Sequence, residues 1–269
     1  MKNGCLVYAS NNENGDIDYV RLANESAKNI ERLLNIPVSV VTDKEVKFKH
    51  NFDQVILTAR PKSGRRYFHD FDGTIQWLNG GRFKSFDLTP YDRTMVLDAD
   101  YIVASNVLSR LFESNQSFLT HESSYEITGH RWFSDELNYF GQYRMPMNWA
   151  TIMYFEKSIM AETIFSSMKM IEGNYRHYAD LYNFNSQLYR NDYALSIAVM
   201  MANGHFNDNK QFYIPWHLAS VVPEHKVTQE DTDTYKIEYE VNDRVQYLIV
   251  TDFDLHVIGK TWLKEMHGI

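Results

Sequence analysis

The sequence has one cysteine, no apolar run long enough for a membrane helix, and no linker rich in proline, glycine or serine. Cys5 lies inside an apolar segment, so a disulfide framework and a cysteine-based metal site are both excluded. A membrane span takes about 20 apolar residues, and no stretch approaches that length. The first residues, Met1–Gly4, lead directly into a strand-like segment without the charged leader of a secretory signal. We therefore expect a soluble, cytoplasmic protein.

The chain also lacks an excess of positive charge, because its formal net charge is −8. This balance argues against broad electrostatic attraction to nucleic acid or to anionic lipid. A local basic cluster is present nevertheless, and it consists of Arg60, Lys62, Arg65 and Arg66. Aromatic residues make up 14% of the chain, which favours a core rich in rings over platforms that stack on sugars or bases.

Apolar runs in the first half predict parallel strands over residues 5–10, 38–43, 54–58 and 94–97, of which the first and the last are expected to be buried. Between the first two, apolar residues recur at the three-and-four spacing of a helix over residues 17–34. A strand, a helix and a second strand in this rhythm predict a right-handed parallel βαβ unit. With 269 residues and an ordinary 44% hydrophobic content, we expect one α/β domain whose central sheet carries helices on both faces.

The second half is less regular. Strands are predicted over residues 117–120 and 152–155, and helices over residues 158–172 and 193–203. Residues 235–239 and 245–250 alternate between polar and apolar side chains and predict a hairpin.

Asp98-Ala99-Asp100 follows directly on the apolar strand 94–97. Ligands of open α/β sheets bind beyond the carboxyl ends of the strands, so both carboxylates are expected where chemistry takes place. Two carboxylates one residue apart can converge on Mg²⁺ or Mn²⁺, which take oxygen ligands and share further positions with phosphate oxygens. The alternative for such a pair is a solvated turn or a helix cap.

Tyr91–Asp100 resembles the Tyr-X-(Lys/Arg)-apolar-Asp-Ala-Asp stretch of the GT-A glycosyltransferases, in particular the glycogenin-like retaining family (glycosyltransferase family 8). Upstream, Arg82 and Leu88–Tyr91 are similar to the stretch where that family carries a basic residue for the donor. Near the other end, Leu255–Trp262 resembles the family's His-X-X-Gly…Lys-Pro-Trp signature. It departs from the signature by lacking two residues before Lys260 and by having Thr261 in place of proline.

The resemblance implies a GT-A fold, which is Rossmann-like with a mostly parallel sheet, extended here by the C-terminal hairpin. It divides the single domain 1–269 into a nucleotide-sugar-binding half (1–105), an acceptor half (106–215) and a hairpin and metal-ligand segment (216–269). It further implies a Mn²⁺ or Mg²⁺ cofactor held by Asp98, Asp100 and His256, and a UDP-sugar donor. Lys260 and Arg82 would contact the donor diphosphate, beside Ala99 and Gly259. The alternatives are a surface histidine for His256 and an exposed helix charge for Arg82.

Further positions resemble the family's substrate contacts. Asn148 lies in a segment similar to its Asn-X-Gly strand beside the sugar, with Ala150 in place of glycine. Asp192 resembles the aspartate that hydrogen-bonds the donor sugar, and its alternative is a helix N-cap. The nucleoside would lie near Ala9, Asn11 and Tyr19, although Tyr19 could equally be a packing residue.

The expected reaction is transfer of the sugar to a hydroxyl acceptor with retention of configuration, and Asp192, Lys260 and Asn148 are the expected catalytic residues. The acceptor is a saccharide, a protein or a hydroxymethylated base in DNA, the last because the chain also resembles glycosyltransferase-like proteins of large tailed phages. A phage-encoded chain would act in the host cytoplasm. Two alternatives remain, a non-catalytic sugar-nucleotide-binding protein and a nucleotidyltransferase. The second usually needs a glycine-rich N-terminal phosphate loop, which residues 11–15 do not form.

Overall fold

The structure is a computed structural model that describes residues 1–11, 17–59, 65–68, 73–76, 79–129, 138–184, 189–206 and 210–267. The basic cluster predicted over residues 60–66 lies outside the described side chains. Among the helices of the described part, none is both long enough and apolar enough to cross a bilayer.

The described residues form a mixture of strands and helices along most of the chain and mainly strands near the C-terminus. The strands, in chain order, are β1 (Asn3–Tyr8), β2 (Val38–Thr42), β3 (Gln54–Leu57), β4 (Arg65–Phe68), β5 (Gly73–Gln76), β6 (Arg93–Asp98), β7 (Tyr101–Ile102), β8 (Phe118–His121), β9 (Ser124–Glu126), β10 (Tyr139–Phe140), β11 (Met145–Pro146), β12 (Trp149–Glu156), β13 (Leu218–Val221), β14 (Lys226–Asp231), β15 (Thr234–Val241), β16 (Arg244–Thr251) and β17 (Leu255–Val257). The α-helices are α1 (Tyr19–Leu34), α2 (Ser85–Leu88), α3 (Ile159–Gly173), α4 (Tyr175–Leu181), α5 (Asn191–Ala202) and α6 (Lys260–His267). Short 3₁₀ segments lie at Asn79–Lys84, Val107–Glu113 and Lys210–Phe212.

The central sheet has the strand order β3-β2-β1-β6-β12-β8. Its first four strands are parallel, and β12 is antiparallel to both of its neighbours, so β8 runs in the same direction as β6. The prediction of an α/β fold with a mostly parallel central sheet is therefore confirmed. Because β6 and β8 run in the same direction and β12 runs in the opposite one, β6 and β8 end at the edge of the sheet where β12 begins.

Helix α1 forms where the sequence predicts it, because both its ends and its buried face are encoded locally. The Asp18 side chain caps its first turn by accepting a hydrogen bond from the Arg21 amide, and Asn35 ends it with a positive φ of 54°. The buried side of α1 is apolar for most of its length and packs on β1 and β2; it includes Leu22, Ala23, Ala27, Ile30 and Leu34. The predicted βαβ unit is present, with β1 and β2 parallel.

A second sheet, of order β7-β17-β13-β9, lies beyond the carboxyl end of β6. Strand β17 pairs antiparallel with β7 and parallel with β13. The predicted hairpin is confirmed as β15 and β16, which form a third sheet together with β14. Its turn residues Asn242 and Asp243 both have positive φ, 50° and 58°, as a two-residue type I′ turn requires.

Candidate metal and donor site

The site forms at the edge where β1 and β6 end. Tyr8 and Asp98, the last residues of these strands, pair with one another. After a turn through Asp100 the chain enters β7, where Tyr101 pairs with His256 on β17. Backbone pairing therefore delivers the imidazole next to the residue that follows Asp100, although the two segments are far apart in sequence.

Asp98, Asp100 and His256 each bring one possible ligand atom to a common point, and these atoms lie within 4.8 Å of one another. Asp100 is only 8% exposed, and its Oδ1 is buried without a hydrogen-bond partner among the described residues. A buried carboxylate oxygen without a partner is unfavourable unless something else binds it. Two carboxylates and one imidazole are a donor set that suits Mn²⁺, and also Mg²⁺, so the residues present fit the implied metal.

The orientation of His256 is fixed by its neighbours. Ser220 Oγ lies 2.9 Å from Nδ1, and Ser124 Oγ lies 2.6 Å from Ser220 Oγ. On the other side of the ring, Thr151 Oγ1 is 3.5 Å from Nε2, and Trp149 contacts the ring edge-on at 5.7 Å. Contacts of this kind hold a metal-binding histidine in one orientation and one tautomer. His256 is buried, so the alternative of a surface histidine is wrong.

Two cations lie on the acid pair. The guanidinium of Arg82 forms an ion pair with Asp98 and donates to the carbonyl of Ala150, and the Lys260 ammonium forms an ion pair with Asp100. Burial alone raises the pKa of Asp100, but Lys260, His256 and Arg82 outweigh it and hold the pKa below its usual value. Arg82 is 4% exposed, so the alternative of an exposed helix charge is wrong.

The segment around Gly259 is held against a turn of the hairpin region. A Cβ added to Gly259 would lie 2.9 Å from Pro223 Cα, so this position accommodates only glycine without a backbone shift. The Trp262 indole donates to the Pro223 carbonyl at 2.9 Å. These two contacts place Lys260 at the start of α6, where its Nζ also donates to the carbonyl of Val257 at 3.1 Å.

Asn148 and Asp192 lie where β12 meets α5. Asn148 is fully buried, and its backbone amide donates to Ser196 Oγ. In the part of the chain that the structure describes, neither polar atom of its side chain has a hydrogen-bond partner. Asp192 accepts a hydrogen bond from the Ala150 amide at 3.0 Å and pairs with Arg190 at 2.9 Å. The N-cap of α5 is Arg190, so the N-cap alternative for Asp192 is wrong: this residue lies inside the first turn.

The predicted nucleoside contacts follow β1 at the same edge. The amide of Ala9 still donates to Val41 in β2, and the Asn11 side chain donates to Asp18 Oδ1 at 2.7 Å and accepts from the Val20 amide. Asn11 thus helps to fix the start of α1, whose first residue is Tyr19. Tyr19 is partly buried against the core. A role of these residues in nucleoside binding stays a prediction.

Sequence reasoning assigned no role to His121, which the structure places at this edge. It is the last residue of β8, pairs with Trp149 and is 1% exposed, and no described residue forms a hydrogen bond with its Nε2. Burial lowers its pKa to about 3, against a hydrogen bond to the backbone of Trp216, so the ring is neutral. The signal in the sequence was a histidine at the end of a buried strand, but the direction of that strand became known only from its pairing with β12.

Three solved structures of glycosyltransferases resemble this fold. An active-site mutant of LgtC matches with a TM-score of 0.50 and 12% identity, over 82% of this chain and 75% of that one. The galactosyltransferase LgtC, in complex with donor and acceptor sugar analogues, matches with a TM-score of 0.47 and 12% identity over 71% and 69%. GlyE of Streptococcus pneumoniae TIGR4 matches with a TM-score of 0.43 and 14% identity over 80% of this chain, which spans only 46% of GlyE.

No protein-family model and no curated protein matches the sequence. At such low identity the structural likeness shows the fold alone. The chain therefore has a GT-A type of α/β fold.

Proposed function

We propose that this chain is a metal-dependent glycosyltransferase that moves a sugar from a nucleoside-diphosphate sugar, a UDP-sugar, to a hydroxyl acceptor. The observation that carries the proposal is the convergence of Asp98, Asp100 and His256 within 4.8 Å at the carboxyl edge of a GT-A-type sheet. Asp98 ends strand β6 of the central sheet, Asp100 lies in the turn that follows it, and His256 comes from the second sheet. The nearby Arg82 and Lys260 add the positive charge that a diphosphate needs.

The metal would be Mn²⁺ or Mg²⁺ and, when bound, would stabilise the negative charge of the departing diphosphate. Arg82 and Lys260 already lie against carboxylates, so both are positioned to exchange part of that contact for phosphate oxygens. Their charge would offset the charge that develops on the leaving group. Lys260 begins α6 and is 12% exposed at its side chain, and this partial exposure leaves it reachable by a substrate at the sheet edge.

Asn148 and Asp192 would orient the transferred sugar. The two side-chain atoms of Asn148 have hydrogen-bonding capacity that the described residues do not satisfy, which favours a role in binding hydroxyl groups. Asp192 is held by the Ala150 amide and by Arg190, and this fixed carboxylate favours positioning over nucleophilic attack. Retention would then follow from a displacement on one face of the sugar, in which the departing phosphate takes the proton of the acceptor hydroxyl.

We propose a saccharide as the acceptor. The net charge of −8 opposes binding to a DNA backbone, whose affinity for proteins depends on cationic contacts. LgtC, which shares the fold, has been solved with an acceptor sugar analogue. Transfer of labelled sugar to oligosaccharides and to hydroxymethylcytosine DNA, measured side by side, tests this choice, and labelling of the DNA alone would contradict it.

The test of the activity is hydrolysis of UDP-sugars by the purified chain, before and after removal of divalent metal and after its return. Asp100→Asn is expected to lower turnover at least about a hundredfold, as loss of a group that stabilises transition-state charge does. The matched control is Asp87→Asn, because Asp87 is exposed on α2 and is expected to leave turnover unchanged. Equal, metal-independent turnover in Asp100→Asn would contradict the metal assignment, and nucleotide binding without turnover would identify a binding protein instead.

A further inference from the structure

The three-stranded sheet near the C-terminus ends in an edge strand with an exposed apolar face. In the described part of the chain β16 pairs with β15 alone. Val245, Tyr247 and Ile249 point to one face of β16 and are 52%, 58% and 64% exposed. Their cross-strand neighbours on β15 are charged: Glu240, Glu238 and Lys236, respectively. The exposed apolar stripe is therefore confined to β16.

The opposite face of β16 is anchored to the protein core. Leu248 lies opposite Ile237, which is fully buried, and Val250 lies opposite Tyr235, which is 2% exposed. Packing of these side chains therefore holds β16 in an extended conformation. Among the described strands, none pairs with the edge of β16 that faces away from β15. Edge strands are usually protected by proline, lysine or a bulge, and β16 has no proline or lysine between Arg244 and Thr251.

We propose that β16 is a dimerisation strand, which pairs antiparallel with β16 of a second copy so that the two three-stranded sheets become continuous. A two-fold axis perpendicular to the sheet places the exposed faces of both β16 strands, which carry Val245, Tyr247 and Ile249, on the same side of the joined sheet. Centred on Leu248, this register places each Tyr247 opposite Ile249 and each Val245 opposite Thr251. Aromatic and β-branched side chains are the favourable cross-strand pairs.

The charges at the ends of β16 select this register and a second copy as the occupant. With Leu248 at the axis, Arg244, the first residue of β16 in each copy, lies beside the end of the strand in the other copy, which Asp252 directly follows, and both residues are exposed. The strand is thus complementary to itself in both its apolar and its charged residues.

The test is the mass of the full chain in solution, measured by light scattering and sedimentation over a dilution series, without donor or metal. We expect twice the chain mass of 31.7 kDa at high concentration and dissociation on dilution. Tyr247→Lys combined with Ile249→Lys is expected to give a monomer with an unchanged thermal midpoint. The matched control is Leu57→Lys on β3, an edge strand of the main sheet where Leu57 is 53% exposed, and this variant is expected to remain a dimer.

A charge exchange tests the register. Arg244→Asp and Asp252→Arg are each expected to weaken dimerisation about tenfold or more, and the double variant is expected to restore it, because close opposite charges couple across interfaces. A wild-type chain that is monomeric at every soluble concentration would overturn the proposal. So would a dimer that persists in the Tyr247→Lys and Ile249→Lys variant. None of these measurements involves sugar transfer, so their outcome is independent of the proposed activity.

Discussion

Replacement of Gly4 by alanine would test how closely the first strand fits the segment that precedes the acid pair. A Cβ built on Gly4 lies 2.4 Å from Tyr91 Cζ and 2.5 Å from both Cε atoms. The ring cannot easily move away, because Tyr91 is 1% exposed and its hydroxyl is 2.7 Å from Ser39 Oγ. Tyr91 belongs to the stretch that resembles the glycosyltransferase motif. Its close contact with Gly4 gives a structural reason for a tyrosine at this position.

The expected loss of stability follows from two contributions. Overpacking of a filled core costs about 1–3 kcal/mol. Displacement of the Tyr91 ring also removes its buried hydrogen bond to Ser39, worth about 1 kcal/mol. The free energy of unfolding should therefore fall by about 2–4 kcal/mol, which in a chain of this size lowers Tm by roughly 5–15 °C.

Thermal and urea unfolding of purified variants measure this loss. The matched control is Gly173→Ala at the last residue of α3, where an added Cβ meets nothing within 4 Å. There, alanine is expected to be neutral or to add up to about 1 kcal/mol through its better helix propensity. In a Tyr91→Ala background the ring is gone, and Gly4→Ala should then cost almost nothing. The same loss in both backgrounds would refute the close contact as the cause.

Two further predictions concern the network behind the site and the second sheet. Ser220→Ala removes the partner of His256 Nδ1, so Mn²⁺ affinity, measured by titration calorimetry, should fall about 10–100-fold. Glu126→Gln should remove an acid-sensitive part of the stability. Burial opposes ionisation of Glu126, but hydrogen bonds from His225 and Thr128 hold its pKa at about 2 instead of 4.5. The contribution of Glu126 to stability is present above its ordinary pKa of 4.5 and is lost as the pH falls towards 2. The full shift corresponds to at most about 3 kcal/mol, of which about 2 kcal/mol lies between pH 6 and pH 3, where urea unfolding measures it.

The controls for these two variants lie away from the metal site and from the second sheet. The Ser109 hydroxyl donates to the Asn106 carbonyl, and Ser109→Ala should leave metal affinity unchanged. Glu113→Gln changes an exposed carboxylate and should leave the acid dependence of stability unchanged. Unaltered Mn²⁺ affinity in Ser220→Ala would contradict the positioning role of Ser220. An unaltered difference in stability between the two pH values in Glu126→Gln would contradict the role assigned to the buried carboxylate.

The main sheet was predictable because its strands are long apolar runs and α1 carries a clear periodicity with local caps. The hairpin was predictable because polar and apolar side chains alternate along β15 and β16, which are eight residues long each. The second sheet was not predicted, because β7 and β17 are only two and three residues long. Strands of that length have no measurable period, and their pairing joins segments far apart in the chain.

In the site, the sequence predicted which residues meet but not how they are held. Asp98, Asp100 and His256 do lie together, as the resemblance implies, while their role in metal binding stays a prediction. The burial of Arg82 could not be read from the sequence, because it depends on Ala150 and Asp98 in other strands. The helix was predicted to begin at residue 193, but α5 begins at Asn191. Asp192 therefore lies inside the helix and not before it. The division of the domain into a nucleotide-sugar-binding half (1–105), an acceptor half (106–215) and a C-terminal segment (216–269) also stays a prediction.

The separation of the ligands between two sheets has a consequence for synthesis of the chain. Translation produces Asp100 directly after the four parallel strands β1, β2, β3 and β6, and Lys260 follows 160 residues later. N-terminal parts of a protein generally fold first as they leave the ribosome. A nascent chain is therefore expected to carry the two carboxylates before the imidazole and the lysine exist. The site would become complete only after β17 has been synthesised and inserts between β7 and β13.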